Sequence, residues 1–380
     1  MDKVFLSHNN IVSAYGFNSN SAITSIKNEV SSLELFKDKH ILPNAFYASR
    51  INQNKLQKNY NKLLPKESHT RLEQMLLVSL ADTISKSNIE LTERVGLIIS
   101  TTKGNIDVLE EHNSFSEERA YLGALGTKIQ EFFGFKNKAI VLSNACVSGV
   151  LAVAAAKRFI RQGTYDHVFV AGGDLVTQFI LSGFNAFQAL SDEPCRPYCK
   201  TRTGINIGEV ATSVLVTNDS QKTIAESVEI LGEASCNDAN HISGPSRTGE
   251  GLYRSINAAL EQSKLSAADI DYISAHGTAT PFNDEMEAIA FNRAGLEHTP
   301  LNSLKGYFGH TLGASGLLET IVGMHSLHQN TLFCSKGFQE LGVSMPLHII
   351  KETTARNISI FLKTASGFGG CNTAVIFQKI

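Results

Sequence analysis

The feature that most constrains this chain is a repeated alternation of short, unbroken apolar runs with longer stretches of helical periodicity. VGLIIST (95–101), AIVLSNA (139–145), VFVAGG (168–173) and TSVLVT (212–217) are rich in β-branched residues and run on without polar/apolar alternation. Such strands are covered on both faces, because a sheet with one wet face would show polar residues at every second position. Between or before them, Leu72, Met75, Leu76 and Leu80 recur at helical spacing over Arg71 to Ser87, and a second helix is predicted from Val147 to Arg161. The second half repeats the scheme. Strands are expected at ESVEILGEA (226–234), DYISA (271–275), ISIFLKT (358–364) and TAVIFQ (373–378), with helices at Gly251 to Ser263, Asp284 to Ala294 and Gly313 to Gln329. The pattern predicts an α/β architecture with mainly parallel sheets. The region 33–68, polar and rich in Lys and Asn, shows no clear period and is expected to be a surface excursion or cap.

Composition narrows the class. The 380 residues are 42% hydrophobic and 18% charged, which suits a globular chain with a large interior rather than a disordered one. A formal net charge of -2 gives no whole-molecule attraction to nucleic acid or to an anionic membrane. The N-terminal MDKVFLSHNNIVSAYGF lacks the layout of a signal peptide, and no apolar run is long enough to span a bilayer, so a cytoplasmic location without a membrane span is expected. Six cysteines are too sparse for a disulfide framework. Cys195 and Cys199 form a close pair, but no second Cys/His pair stands nearby to complete a zinc site, so they read as plain thiols.

Four segments carry potential chemistry. In SNACVSG (143–149), Cys146 sits at a strand-to-helix junction beside Ala145, Ser148 and Gly149. A sulfur there would lie at the positive end of a helix, a setting that favours thiolate. A structural buried thiol is the bland alternative. In AHGTATPFND (275–284), His276 leaves the end of a strand and is placed for acid/base or hydrogen-bonding work, or is simply a satisfied loop histidine. In SLKGYFGHTLGASG (303–316), Lys305 and His310 flank a glycine-containing turn before a helix of small residues; a close-packed helix start would look the same. ASGFGGCN (365–372), between the last two strands, makes a tight turn whose backbone N–H groups could face an oxyanion, or a plain hairpin. Walker spacing and a strand–GxGxxG–helix unit are absent. A faint duplication links the halves, since Cys146 and His310 each open a helix with a glycine (Gly149, Gly313) three residues on.

In this order and combination, Cys146, His276, Lys305, His310 and the GFGG turn resemble the elongating β-ketoacyl–acyl carrier protein synthases of the thiolase superfamily. The resemblance runs from VFLSHNNIVSAYG to the last strand and includes CRPYCKTRTGINIGEVA (195–211). It implies a thiolase-like fold with two pseudo-symmetric halves, 1–220 with the nucleophile and 221–380 with the histidines, in one α-β-α-β-α core. It also implies decarboxylative Claisen condensation of malonyl-carrier with an acyl group held on Cys146, in fatty acid, polyene or polyketide synthesis. His276 and His310 would donate to the malonyl thioester oxygen. Lys305 and Glu319 would hold His310 and the local charge balance. Phe368 would be gatekeeper and, with Cys146, supply oxyanion N–H groups; Asp284 would support the site, and Thr278 and Thr280 would line the pantetheine channel. No bound cofactor or metal is implied, only substrates on the phosphopantetheine of an acyl carrier protein. The expected assembly is a homodimer, or a heterodimer with a related ketosynthase-like subunit.

Several positions depart from that family's pattern: Gly306 for Ser, Ser366 for Phe, Cys371 for Thr, Cys199 for Asp and Val210 for Gly. None removes a reacting group, and together they favour a specialised pathway as much as a housekeeping one. A non-condensing, chain-length-factor-like partner would lack the nucleophile that Cys146 provides. A CoA-dependent thiolase-like enzyme would need a second catalytic cysteine, and Cys371 lies past the GFGG turn without the glycine–histidine setting.

Overall fold

Ten strands form the central sheet of the computed structural model, which describes residues 3–111, 113–238 and 243–380. In chain order they are β1 (Phe5–Val12), β2 (Val95–Ser100), β3 (Ile140–Leu142), β4 (His167–Asp174), β5 (Val210–Thr217), β6 (Val228–Asn237), β7 (Tyr272–Ser274), β8 (Leu301–Asn302), β9 (Ile360–Gly367) and β10 (Cys371–Lys379). Their spatial order is β8-β7-β9-β10-β6-β1-β5-β4-β2-β3. Outward from the centre one side runs β1, β5, β4, β2, β3 and the other β6, β10, β9, β7, β8, so the second half repeats the first. The halves meet where β1 and β6 run antiparallel, with Phe5 opposite Glu229 and Leu6 opposite Val228.

The expectation of mainly parallel sheets is corrected. β2 is parallel to β3 and β4, and β7 to β8 and β9, while β4/β5, β5/β1, β9/β10 and β10/β6 are antiparallel. A parallel pair needs a long crossover, whereas β9 and β10 are joined by a tight hairpin that can only pair antiparallel. Two strands read poorly from sequence: β1 is interrupted by Ser7, His8, Asn9 and Asn10, and β8 is only two residues long.

Six principal helices complete the layers: α1 (Arg71–Ser87), α2 (Leu122–Phe133), α3 (Ser148–Arg161), α4 (Glu250–Ser263), α5 (Pro281–Arg293) and α6 (Ser315–Gln329). α3 and α6 lie against each other and against strands of both halves, α1 packs on β1, β4 and β5, and α4 on β6 and β10. The result is an α-β-α-β-α stack with α3 and α6 at its centre. Every residue of α6 from Ser315 to Leu327 is buried, as befits a helix with protein on all sides. Small residues make this crossing possible. A Cβ on Gly149 would fall 2.6 Å from the Leu317 nitrogen, and one on Gly316 would fall 2.5 Å from the Val150 nitrogen.

The region 33–68 is more ordered than a cap. Glu34–Phe36 and Phe46–Ser49 form a small sheet with Ile207–Gly208, and Gln53–Asn61 is a helix capped by the Asn52 side chain. Phe46 and Ala48 are buried with Ile205 and Ile207. Among the described residues no helix is long and apolar enough to cross a membrane.

Candidate active site

The turn between β3 and α3 presents Cys146. Ala145 has a left-handed backbone with φ 44°, a costly conformation for a residue with a side chain. Ser148 holds the turn: its hydroxyl accepts from the Asn144 N–H at 2.7 Å and donates to the Ala145 carbonyl at 2.6 Å. Cys146 itself is partly exposed and lines an open cavity. Burial, reinforced by Cys371, pushes the thiol up to about 12 against the opposing pull of Lys305. Desolvation thus opposes the thiolate that a helix start would favour.

His276 follows β7 and His310 follows β8, the strands that hold in the second half the places of β2 and β3 in the first. Their rings stand 5.2 Å apart at 79°, and the Cys146 sulfur with one nitrogen from each ring all lie within 4.8 Å of one another. This is the grouping among the described residues with the spacing for a metal ion, which would bind Cys146 as the thiolate. The remaining ring nitrogens fix the tautomers. His310 Nδ1 accepts from the Leu312 N–H at 3.1 Å, so its proton sits on Nε2, which is buried without a partner. The Lys305 ammonium lies 3.4 Å from His276 Nδ1, which again leaves Nε2 to carry the proton. Burial first, then Lys305 and Lys363, hold both imidazoles well below their usual range, with His310 adding to the effect on His276. Both rings are thus neutral donors beside the sulfur.

Lys305 is placed differently from expectation. Its ammonium donates to the His276 carbonyl at 2.6 Å and to Glu319 Oε1 at 2.8 Å, besides its approach to His276 Nδ1. It therefore holds His276 and not His310, and its three N–H groups are all engaged within the protein. His310 is held instead by Ser315, whose hydroxyl is 2.9 Å from Nδ1, and by the Leu312 N–H. Glu319 also pairs with Lys363 at 2.7 Å.

The loop that carries His276 is pinned by two buried carboxylates of α5. Asp284 accepts from the N–H groups of Thr278 at 2.9 Å, Ala279 at 3.2 Å and Tyr198 at 2.7 Å, while burial pushes it up to about 7. Glu287, which sequence reasoning missed, accepts from the N–H groups of His276 at 2.9 Å and Gly277 at 2.7 Å. Asp174 was missed as well. At the end of β4 it accepts from Thr101 and Thr102 and from the Gly313 N–H, so it ties β2 to the turn after His310. Neither lies in a recognisable motif.

A cavity of about 280 Å³ gathers Cys146, His276, His310, Thr278, Thr280 and the 366–368 backbone on its walls. The Thr278 and Thr280 hydroxyls are 2.8 Å apart. The glycine-rich segment is a β9–β10 hairpin, with Gly369 (φ 85°) and Gly370 (φ 77°) in left-handed conformations. It approaches the nucleophile closely: a Cβ on Gly367 would lie 3.0 Å from the Cys146 nitrogen. Phe368 is 40% exposed, with its ring centroid 5.9 Å from Phe184 and 5.5 Å from Phe187. Cys371 is buried, with its thiol toward the Asn144 and Phe368 carbonyls. Cys195 and Cys199 are buried free thiols that belong to no described metal grouping, and the Cys195 thiol donates to the Lys305 carbonyl at 3.1 Å.

Comparison with known proteins agrees with this geometry. Residues 17–222 match the β-ketoacyl synthase N-terminal domain and residues 228–338 its C-terminal domain. The chain is 28% identical over 343 residues to a putative polyketide β-ketoacyl synthase 1 of Streptomyces halstedii, covering 80% of this chain and 81% of that one. It is 27% identical to a 3-oxoacyl-[acyl-carrier-protein] synthase 2 of Vibrio cholerae, covering 80% of each chain. A chain of the complex between a ketosynthase and its chain length factor from Xenorhabdus doucetiae superposes with a TM-score of 0.88 at 25% identity, over 100% of this chain and 98% of that chain. With a family match that takes in more than half its length and the thiolase-type fold, the chain belongs to the β-ketoacyl synthase family of acyltransferases.

Proposed function

We propose that this ketosynthase condenses a carrier-bound malonyl unit with an acyl group held on Cys146, and that His276 and His310 stabilise the enolate formed on the way. The observation that carries the reading is the convergence of one thiol and two neutral imidazoles, each with its proton on Nε2, on one cavity. In the first half-reaction the Cys146 sulfur bonds to the acyl carbon as the carrier's pantetheine sulfur leaves, and the thiol proton ends on the departing sulfur. In the second, the malonyl carbon–carboxylate bond breaks and CO2 departs. The electron pair moves onto the thioester oxygen, where two Nε2–H donors meet it. The resulting carbon nucleophile bonds to the acyl carbon, the carbon–sulfur bond breaks, and Cys146 leaves as a thiolate that takes up one proton from solvent to restore the thiol. Oxyanions at the acyl carbon would be met by the backbone N–H groups of Cys146 and Phe368, which the close approach at Gly367 brings together.

Lys305 and Glu319 serve as positioning groups in this scheme, Asp284 secures the His276 loop, and Thr278 and Thr280 line the pantetheine approach. The 1–220 and 221–380 segments are read as the halves that bring nucleophile and histidines together. Phe184, Phe187 and Phe368 cluster at the cavity and favour a flat, conjugated acyl chain, as in aryl polyene synthesis. An acyl carrier protein as substrate carrier follows from the relative named 3-oxoacyl-[acyl-carrier-protein] synthase. A dimer, with itself or with a related subunit, is favoured by the complex solved for the Xenorhabdus relative and by the half-buried edge strand β3. A cytoplasmic location fits a soluble carrier. Mass spectrometry of carrier-bound products, after incubation with malonyl-carrier and acyl carriers of several lengths, tests the function. A product extended by a β-keto two-carbon unit is expected, and unchanged carriers would refute it.

A further inference from the structure

Lys363 is a buried charge to which the chemistry above assigns no task. It lies fully buried in β9, in a run otherwise built of Phe361, Leu362 and Ala365. Its ammonium is 2.6 Å from the Thr364 carbonyl oxygen, 3.0 Å from that of Ser274 and 3.3 Å from that of Ala275. Glu319 Oε2 lies 2.7 Å away as its ion-pair partner. Four oxygens thus surround one nitrogen whose three N–H groups are spent on carbonyls. A shell of carbonyl and carboxylate oxygens around a single positive centre is the environment a hard cation takes. Lysine can supply such a compact point charge from a flexible stem.

The shell is attached to the reacting groups. Ser274 and Ala275 lead directly into His276, and Thr364 leads into the glycine-rich turn. Glu319 is shared with Lys305, which grips His276. The other titratable groups facing this centre are Glu287, His276 and His310. Without Lys363 the three carbonyls would each lose a buried donor and half of Glu319 its counter-charge, a state that buried groups avoid by capturing a counter-ion or by moving.

We propose that Lys363 is an internal counter-cation: its ammonium fills a cation-type oxygen cage and so fixes Glu319, Lys305 and the end of β7 that presents His276. It is a positioning residue, and it frees the protein from any need for a dissolved monovalent cation at this place. Its effect on turnover rests on the ketosynthase reading; the cage itself does not.

The test uses the full chain in tetramethylammonium salt, whose cation is too large for the cage, exchanged at constant ionic strength for potassium, sodium or methylammonium. Wild-type condensation and Tm are expected to be indifferent to the exchange. Lys363→Ala is expected to lose about 10²-fold in condensation, as misplaced reacting groups do, and to regain about tenfold when a small cation is supplied. Its Tm should rise with the same cations, because a ligand bound only by the folded state stabilises it. Lys363→Met, which fills the space without charge, should stay impaired and blind to cations. The proposal is overturned if Lys363→Ala matches wild type, if no small cation alters either its rate or its Tm, or if wild type itself is activated more than about threefold by potassium, since a filled cage leaves no site to titrate. If Lys363→Ala is insoluble in tetramethylammonium, solubility regained in potassium supports the cage and insolubility in both overturns it. Absence of condensation by wild type would sink the ketosynthase reading alone, while the Tm comparison would still decide the cage.

Discussion

The Lys305 ammonium lies 2.6 Å from the carbonyl oxygen of His276 and 3.4 Å from Nδ1 of the same residue. One side chain therefore fixes the backbone, the ring and the tautomer of a histidine that faces the nucleophile. Lys305→Met should keep acyl transfer to Cys146 but lose decarboxylation by about 10²-fold, the cost of a misplaced reacting group. Intact-protein mass measures the first step and CO2 release the second; equal loss of both would show that Lys305 serves the whole site rather than His276.

His276 and His310 converge on the same oxygen in this account. Each single alanine variant should cost ~10²–10³ in decarboxylation, as loss of one oxyanion donor typically does. Because the two act as a unit, the double variant should fall well short of the product of the single losses. Independent, multiplicative effects in a kinetic cycle would argue against a shared target.

Both histidines are held well below 6.5 by burial, Lys305 and Lys363. Their unfolded forms bind protons from about pH 6.5 downward while the folded forms do not, so stability should be complete above that value and fall as pH drops through it, by up to about 1.4 kcal/mol per pH unit for each histidine. Denaturant titrations from pH 7.5 to 5 check the sign. The slope should shrink in a His276→Phe variant, and a slope unchanged by that substitution would place its origin elsewhere.

The α3–α6 crossing depends on glycine. Gly149→Ala drives a methyl carbon onto the Leu317 nitrogen, which is backbone and cannot swing aside. A loss of about 1–3 kcal/mol is expected, the usual cost of overpacking. Thermal unfolding measures it, and a Tm equal to wild type would mean that the two helices can separate freely.

Much of this architecture is legible in the chain. Leu72, Met75, Leu76 and Leu80 give α1 to the residue, because they form one apolar stripe; the structure adds an intact capping box at Thr70 and Glu73. The β-branched runs likewise locate β2 and β4. β1 was hidden by its polar centre, whose groups are satisfied by distant partners: Ser7 donates to the Lys222 carbonyl and Asn10 to that of Phe17. α2 opens at Leu122 with Gly123 and Gly126 inside it and no side-chain cap, so local propensity argues against it and tertiary packing of Leu125 and Ile129 supplies the helix. At the site, the motifs mark Cys146, His276 and His310 but not who holds whom. The Lys305–His276 grip and the Lys363 cage arise from segments far apart in sequence that meet only once the sheet has formed. A lysine inside the apolar run IFLKTA was the one local sign of the latter.

The central claim is that sulfur and imidazoles share one cavity with divided labour. The most direct measurement is intact-protein mass together with CO2 release, for wild type, Cys146→Ala, His276→Ala and His310→Ala, after incubation with acyl-carrier and malonyl-carrier. The account predicts no acyl adduct on Cys146→Ala, and a normal adduct with decarboxylation lost in both histidine variants. An acyl adduct that survives in Cys146→Ala, or histidine variants that release CO2 at the wild-type rate, would contradict it.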